Sequence, residues 1–242
     1  WLLHQKKQQY WPGSKASMQA CYALLAEDKR LSYETKNSDV KVGEQPLNYD
    51  QSNMPALLSK SWEANEISRD LATIKVKQSK QSFGWGAAHW QYYEESDKVK
   101  SHSKEGLSIR SNYYTYDPKT KELKEVDNKI EVGELIKHRL IIEVDYDMDY
   151  VYINDQPPAC LQAAETRSGM HYSDGLSYYA NVKATEREWF IERLNRGTYV
   201  LEIDYRVSHS GTFTGGVSRL QCMYAPEFVA YDNAGSLEIV KP

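Results

Sequence analysis

The stretch GTYVLEIDYRVS, Gly197 to Ser208, alternates apolar and polar side chains. A period of two sends successive side chains to opposite faces of an extended chain, so one face can be buried and the other wetted. A helix would scatter the same residues around its circumference. Runs of this kind recur from about Leu31 onward, separated by clusters of Asn, Asp, Ser, Gly and Pro. LSIRSNYYTYDP (Leu107 to Pro118) reads as a strand ending in a turn, and KIEVGELI (Lys129 to Ile136) as a strand running into a Gly turn. LIIEVDYDMDYVYI (Leu140 to Ile153) reads as one long strand. Ile142, Val144, Tyr146 and Met148 face one way; Glu143, Asp145, Asp147 and Asp149 face the other. A loop-rich stretch follows from Asp155 to Ser177. Then come YYANVKA, REWFIERL, the opening stretch and GVSRLQCMYAPEF. Strands at hairpin spacing with no helical period between them predict an antiparallel sandwich.

The first hundred residues are more mixed. Residues 1–26 read as two short helices broken at Pro12-Gly13, with Ser14 capping the second. Met18, Cys21, Tyr22 and Leu25 then form one apolar stripe, expected to pack in a core. VKVGEQPL reads as a strand with a Gly turn. ATIKVK places Ile74 and Val76 inside and Lys75 and Lys77 outside. Phe83 to Glu95, FGWGAAHWQYYEE, reads as an aromatic strand with a Gly kink, and polar Glu95 to Gly106 as a linker. The chain opens at Trp1 within a helix pattern, so a piece of a longer protein is expected, and the lack of a leader says nothing of its compartment.

Composition narrows the partners. The net charge is −4 with Lys and Arg spread along the chain, which speaks against the basic stripe a nucleic-acid binder needs. No apolar run reaches the 18 residues of a spanning helix. Tyr is abundant, at 19 residues against 4 Phe; its apolar body and polar tip suit half-buried sheet faces and wet interfaces.

The residues with chemical potential each have a plainer reading. Asp145, Asp147 and Asp149 on one strand would be about 7 Å apart, too spread for calcium, so a solvated face is expected. His4, His89, His102, His138, His171 and His209 include no pair at metal-helix spacing. His171, Ser173 and Asp174 hold three triad residue types in four positions, but triads are assembled from distant segments. Trp85, Trp90, Tyr92 and Tyr93 could stack on a sugar ring; packing within a sheet face is the expectation. Cys21, Cys160 and Cys222 show no CxxC spacing. They read as thiols with two or more buried, and a Cys160–Cys222 disulfide stays open for an oxidising compartment. Cys222 has no adjoining Lys or Arg to stabilise a thiolate, and Arg219 falls on the opposite strand face, so Cys222 is read as structural. No catalytic, cofactor or metal residue is therefore assigned.

Leu194 to Phe228 carries a denser pattern: Gly197, Thr198, Tyr199, Leu201, Tyr205, Arg206, Val207, Gly211 and Phe213, then Met223, Tyr224, Ala225, Pro226 and Glu227. It resembles the C-terminal macroglobulin domain of bacterial alpha-2-macroglobulins. GLSYY (Gly175 to Tyr179), WFIERL (Trp189 to Leu194) and GWGAAHWQYYEESDKV (Gly84 to Val99) are similar to family segments, and the opening 25 residues look like the last helices of the family's helical thioester domain. The family's reactive site is a Cys-Gly-Glu-Gln thioester. Here Gly43-Glu44-Gln45 follows Val42, so no thioester can form there, and a chance match in a β-turn is expected.

The resemblance implies a mainly β fold in three parts: residues 1–27 ending a helical domain, 28–97 a CUB-like β segment with linker, and 98–242 a terminal macroglobulin-like β-sandwich. It implies a structural and interaction module of a protease-trapping inhibitor, not an enzyme, without cofactor. Its partners would be the rest of the parent chain and, through the parent, proteases, with neither nucleic acid nor membrane. The family's CUB-like domain is split, so strand edges in 31–95 are expected to be exposed, and an oligomer could cover them. The implied location is extracytoplasmic, periplasmic or cell-surface. The rival reading is a carbohydrate- or protein-binding β-sandwich of a surface protein.

Overall fold

A computed structural model describes residues 13–26, 39–47, 58–77, 86–104, 106–117, 119–120, 122–126, 129–173, 175–233 and 235–241. They fall into two compact units, one within 12–91 and one within 92–242.

The smaller unit holds helix α1 (Ser14–Ala26) and a three-stranded sheet of β1 (Asp39–Val42), β2 (Gln45–Pro46) and β3 (Ile74–Lys77), ordered β2-β1-β3. The Gly13 carbonyl accepts hydrogen bonds from the Ala16 and Ser17 N–H groups, so Gly13 rather than Ser14 is the capping residue. The KVGEQPL turn is a tight hairpin. Gly43 has φ +61, and a Cβ there would lie 3.1 Å from the Asp70 carbonyl, so any other residue would be strained and crowded. Val42, in the place a thioester sulfur would need, is buried as a sheet residue.

Several expectations for this unit do not hold. β3 alternates as read, yet Ile74 and Val76 are 47% and 60% exposed. They pair across with buried Val42 and half-buried Val40, so only the β3 half of that apolar face is exposed. Met18, Cys21 and Tyr22 are likewise exposed, not core. Periodicity marks which residues share a face; it cannot say whether anything covers that face. Residues 1–11, with the first expected helix, the side chain of Leu25, and Phe83 to Trp85 at the start of the expected aromatic strand lie outside the described residues. From Gly86 to Glu95 the backbone is irregular, with Trp90, Tyr92 and Tyr93 exposed.

The larger unit is a β-sandwich. In chain order its strands are β4 (Leu107–Tyr116), β5 (Leu123–Glu125), β6 (Lys129–Glu131), β7 (Leu135–Val144), β8 (Met148–Asp155), β9 (Leu161–Ala163), β10 (Gly169–Ser173), β11 (Leu176–Val182), β12 (Arg187–Leu194), β13 (Gly197–Val207), β14 (Gly211–Thr214), β15 (Val217–Cys222), β16 (Val229–Asn233) and β17 (Ser236–Val240). One main sheet runs β10-β11-β12-β8-β15-β16 and the other β5-β4-β7-β13-β9; a small sheet runs β14-β17-β6. All pairings are antiparallel except β17 with β6.

The core lies between the main sheets. Leu140, Ile142, Met148, Val151, Ile153, Leu194 and Leu220 are fully buried, each contributing about 1.5–3 kcal/mol relative to exposure. Leu201, Ile203, Tyr205 and Val207 of the opening stretch face inward, while Glu202, Asp204 and Arg206 face out.

The stretch expected as one long strand is two. β7 ends at Val144, the chain turns through Asp145–Asp147, and β8 begins at Met148 in the opposite sheet. The alternation survives because a strand that changes sheets keeps its apolar side chains toward the shared core. The acidic residues mark the corner: the Asp147 carboxylate accepts from the Arg196 N–H at 2.8 Å, and Asp149 is buried on β8. Gly106 (φ +72) fits beneath this corner; a Cβ there would meet the Tyr146 ring at 2.8 Å. The loop-rich stretch after Asp155 contributes the short strands β9 and β10.

Candidate functional site

Two constellations in the sandwich combine unusual backbone or burial with chemically capable side chains. The first is the turn after β15. Cys222 is fully buried; its Sγ donates to the Asp149 carbonyl at 3.4 Å. Burial pushes its thiol pKa up, against smaller lowering by turn backbone groups, which keeps it protonated and poorly nucleophilic. Cys160 is also buried with its thiol pushed up by burial, and no disulfide joins the two. Cys222 lies within and Arg219 is exposed on the other face of β15, as the strand spacing predicts.

Ala225 is fully buried and pins the turn. Its N–H donates to the Cys222 carbonyl at 3.3 Å, and its carbonyl accepts from the Phe228 N–H at 2.9 Å. With Ala225 inside, Met223 and Tyr224 project outward and are half-exposed. The Met223 N–H donates to the Tyr150 carbonyl at 2.9 Å, and the Tyr150 and Tyr224 rings meet edge-on at 5.2 Å. Tyr150 has φ +54, a left-handed conformation costing a bulky residue roughly 1–2 kcal/mol. Three apolar side chains are thus held out in water by a buried plug and a strained strand residue. Such strain persists where surrounding structure over-determines it, often at contact sites.

The second constellation is internal. His138 of β7 and Asp155 of β8, one from each main sheet, are both fully buried. His138 Nδ1 lies 3.3 Å from Asp155 Oδ2, off the hydrogen-bond axis. Ser111 Oγ is 2.7 Å from His138 Nε2, and Ser218 Oγ donates to Asp155 Oδ1 at 2.6 Å. Tyr113 stacks on His138 at 4.3 Å, and the Arg187 guanidinium lies 5.6 Å from the Tyr205 ring centre. Burial first, then the Asp155 charge, raises both phenol pKa values, so Tyr113 and Tyr205 stay neutral.

Ser111, His138 and Asp155 lie in the order of a nucleophilic triad, but no hydrogen bond links His138 to Asp155 and the imidazole is sealed between the sheets. Two surface clefts among the described residues are lined by other residues, around Arg139 and Glu202 in one and around Lys104 and Glu143 in the other. The arrangement's evident work is to tie β4 and β7 to β8 and β15. Sequence reading missed it because its members lie on separate strands; only unusual polar residues at inward positions of alternating runs hinted at it.

The sequence-level triad does not assemble there. His171 stacks on Tyr178 at 5.4 Å on an edge hairpin, Ser173 is exposed beside it, and Asp174 lies outside the described residues. Among the described residues no group of three or more His, Cys, Asp or Glu could hold a metal ion, and no helix is long and apolar enough to cross a membrane.

The fold has solved relatives. The chain is similar to Escherichia coli alpha-2-macroglobulin activated by porcine elastase, at 12% identity over 99% of this chain and 21% of that one, with a TM-score of 0.51. It is also similar to Salmonella alpha-2-macroglobulin reacted with methylamine, at 15% identity over 100% of this chain and 16% of that one, TM-score 0.48. A third match is native Escherichia coli alpha-2-macroglobulin from domain MG7 to the C-terminus, at 12% identity over 72% of this chain and 29% of that one, TM-score 0.47. The chain therefore spans less than a third of each of these. No curated protein matches it. The bacterial alpha-2-macroglobulin MG10 domain profile matches residues 106–227, half of the chain and most of the sandwich. By that match the chain belongs to the bacterial alpha-2-macroglobulin family, with its MG10 domain in the β-sandwich.

Proposed function

We propose that this chain is a non-catalytic framing and docking module of a larger, extracytoplasmic protease-trapping protein. The observation that carries the reading is the projecting turn: Met223 and Tyr224 stand out beside Tyr150, whose backbone is strained. A solvated loop gains nothing from such strain, whereas a surface that seats against the rest of a parent chain does. Residues 1–27 would end a helical domain and 28–97 supply part of a CUB-like domain. The exposed Ile74 and Val76 face would take its cover from elsewhere in the parent. Residues 98–242 would form the terminal macroglobulin-like frame. Proteases would meet the parent, not this module.

The test uses the full-length parent and a panel of broad-specificity proteases, with native gels and small-angle scattering. Single-site cleavage followed by compaction and retained protease supports the reading. In the Met223→Ser/Tyr224→Ser variant, the resting or compacted state should shift while folding is unchanged. Progressive degradation without compaction sinks the trap.

A second reading is favoured by one feature. Met170, Tyr179, Phe190 and Tyr152 lie in register across the outer face of the six-stranded sheet, as a sugar-stacking platform would. Titration with a glycan panel decides it; no response removes the carbohydrate reading.

A further inference from the structure

Tyr113, His138, Asp155 and Tyr205 are all buried, and each keeps one side-chain polar atom without a hydrogen-bond partner: the two phenol oxygens, His138 Nδ1 and Asp155 Oδ2. Among the described residues of the sandwich no other buried side-chain atom is in that position. The four residues are neighbours. Tyr113 pairs across from His138 and stacks on its ring at 4.3 Å, and the Tyr205 ring lies 6.3 Å from the imidazole. Asp155 reaches them from the other main sheet, with Oδ2 3.3 Å from Nδ1, and its charge acts on both phenols. Buried polar atoms are nearly always paired, because an unpaired one forfeits its bonds to water and gains none. A buried carboxylate needs more donors than the Ser218 hydroxyl that serves Oδ1. Arg187, opposite Asp155 on β12, directs a guanidinium N–H to the Glu165 carbonyl instead.

We propose that these four atoms bind one enclosed water molecule, which joins the two main sheets through the core. Ser111 Oγ, 2.7 Å from His138 Nε2, donates there and leaves the imidazole proton on Nδ1, which donates to the water. The water donates in turn to Asp155 Oδ2. One lone pair and one proton of the water remain, and the phenol hydroxyls, each able to give or accept, take them. A buried water is held by two to four polar partners, and β4, β7 and β13 on one side and β8 on the other supply that number. The donor set selects water over a metal cation. A ring N–H pointing inward repels a cation, and a single carboxylate oxygen falls far short of the oxygen shell that calcium or magnesium requires. All four atoms are interior, so the site stands whatever covers the outer faces and whether or not the parent traps proteases.

A high-resolution crystal structure of the 242-residue chain tests it directly. The expected result is an ordered water within about 2.6–3.2 Å of Asp155 Oδ2 and of at least one phenol oxygen. Direct hydrogen bonds among the four side chains with no water between them overturn the proposal, and so does a cation at their centre. Tyr113→Phe and Tyr205→Phe give a second readout through its sign, and both variants should keep the wild-type circular dichroism. Deleting a hydroxyl that bonds the water should lower the urea midpoint by about 0.3–0.5 M, whereas deleting a stranded hydroxyl relieves its burial cost and raises the midpoint. A rise in both variants overturns the proposal.

Discussion

The two outer faces of the sandwich stand on the same alternation and differ in chemistry. On the β4-β7-β13 face, Arg110 pairs with Glu143 at 2.6 Å, Arg139 with Glu202 at 2.6 Å, and Lys137 with both Glu202 and Asp204 at 3.1 and 2.9 Å. On the opposite face the row is Met170, Tyr179, Phe190 and Tyr152, with Tyr152 and Phe190 rings 5.2 Å apart. The Tyr152 hydroxyl donates to Glu188 at 2.7 Å; burial, then this bond and charge, pushes its pKa up to about 12. Charges laced across strands satisfy one another and keep a face wet, at modest gain per pair. Aromatic side chains in register leave apolar surface that only another molecule can cover. Inward positions thus decide that the sandwich forms, and outward positions decide which side is available.

The largest expected effect comes from the interior that both faces share. Asp155→Ala leaves the buried Ser218 hydroxyl without its acceptor and should cost about 1–3 kcal/mol in urea unfolding. A loss near zero would mean the polar cluster does not tie the sheets. Tyr150→Asn tests the turn at the aromatic side. Asn tolerates the left-handed region, so stability should rise by up to about 1 kcal/mol while docking to the parent weakens. A fall in stability would show that the ring contact with Tyr224 outweighs the strain.

Glu202→Gln probes the charged face and should cost a fraction of about 1 kcal/mol, less in high salt. Burial alone would raise the Glu202 pKa, but its Lys137 and Arg139 partners outweigh that and hold it below the ordinary 4.5. A depressed folded-state value means its contribution is present above pH 4.5 and lost as pH falls through the lower value. Wild type and variant should therefore converge in stability in acid; a gap that persists there would break the assignment. Phe190→Ser, on the aromatic face, should change stability least, by about 0.5 kcal/mol, because its ring is already partly exposed. A much larger loss would make that face structural and dissolve the contrast.

The errors of sequence reading have a common cause. Leu140 to Ile153 was expected as one strand because alternation persists through a corner, and the turn residues Asp145 and Asp147 sat at positions a solvated strand would also make polar. Ile74 and Val76 alternated as an inside pair, but an inside needs a second layer. The burial of Cys222, by contrast, was legible, since its strand position alone put Arg219 on the other face and itself within.

What the sequence by itself determined is local: which side chains share a face, where Gly43 and Gly106 let the backbone turn, that Val42 cannot supply a thioester sulfur, and, through the run from Gly197 to Glu227, the family. What only the tertiary structure decided is non-local: that β7 and β8 enter opposite sheets, that Asp155 meets both His138 and Ser218, and that His102 pairs against Tyr231 of β16. The physical reason is range. Alternation and turn chemistry act over two to four residues, whereas strand order and edge exposure depend on pairings between segments tens of residues apart, which no local period encodes.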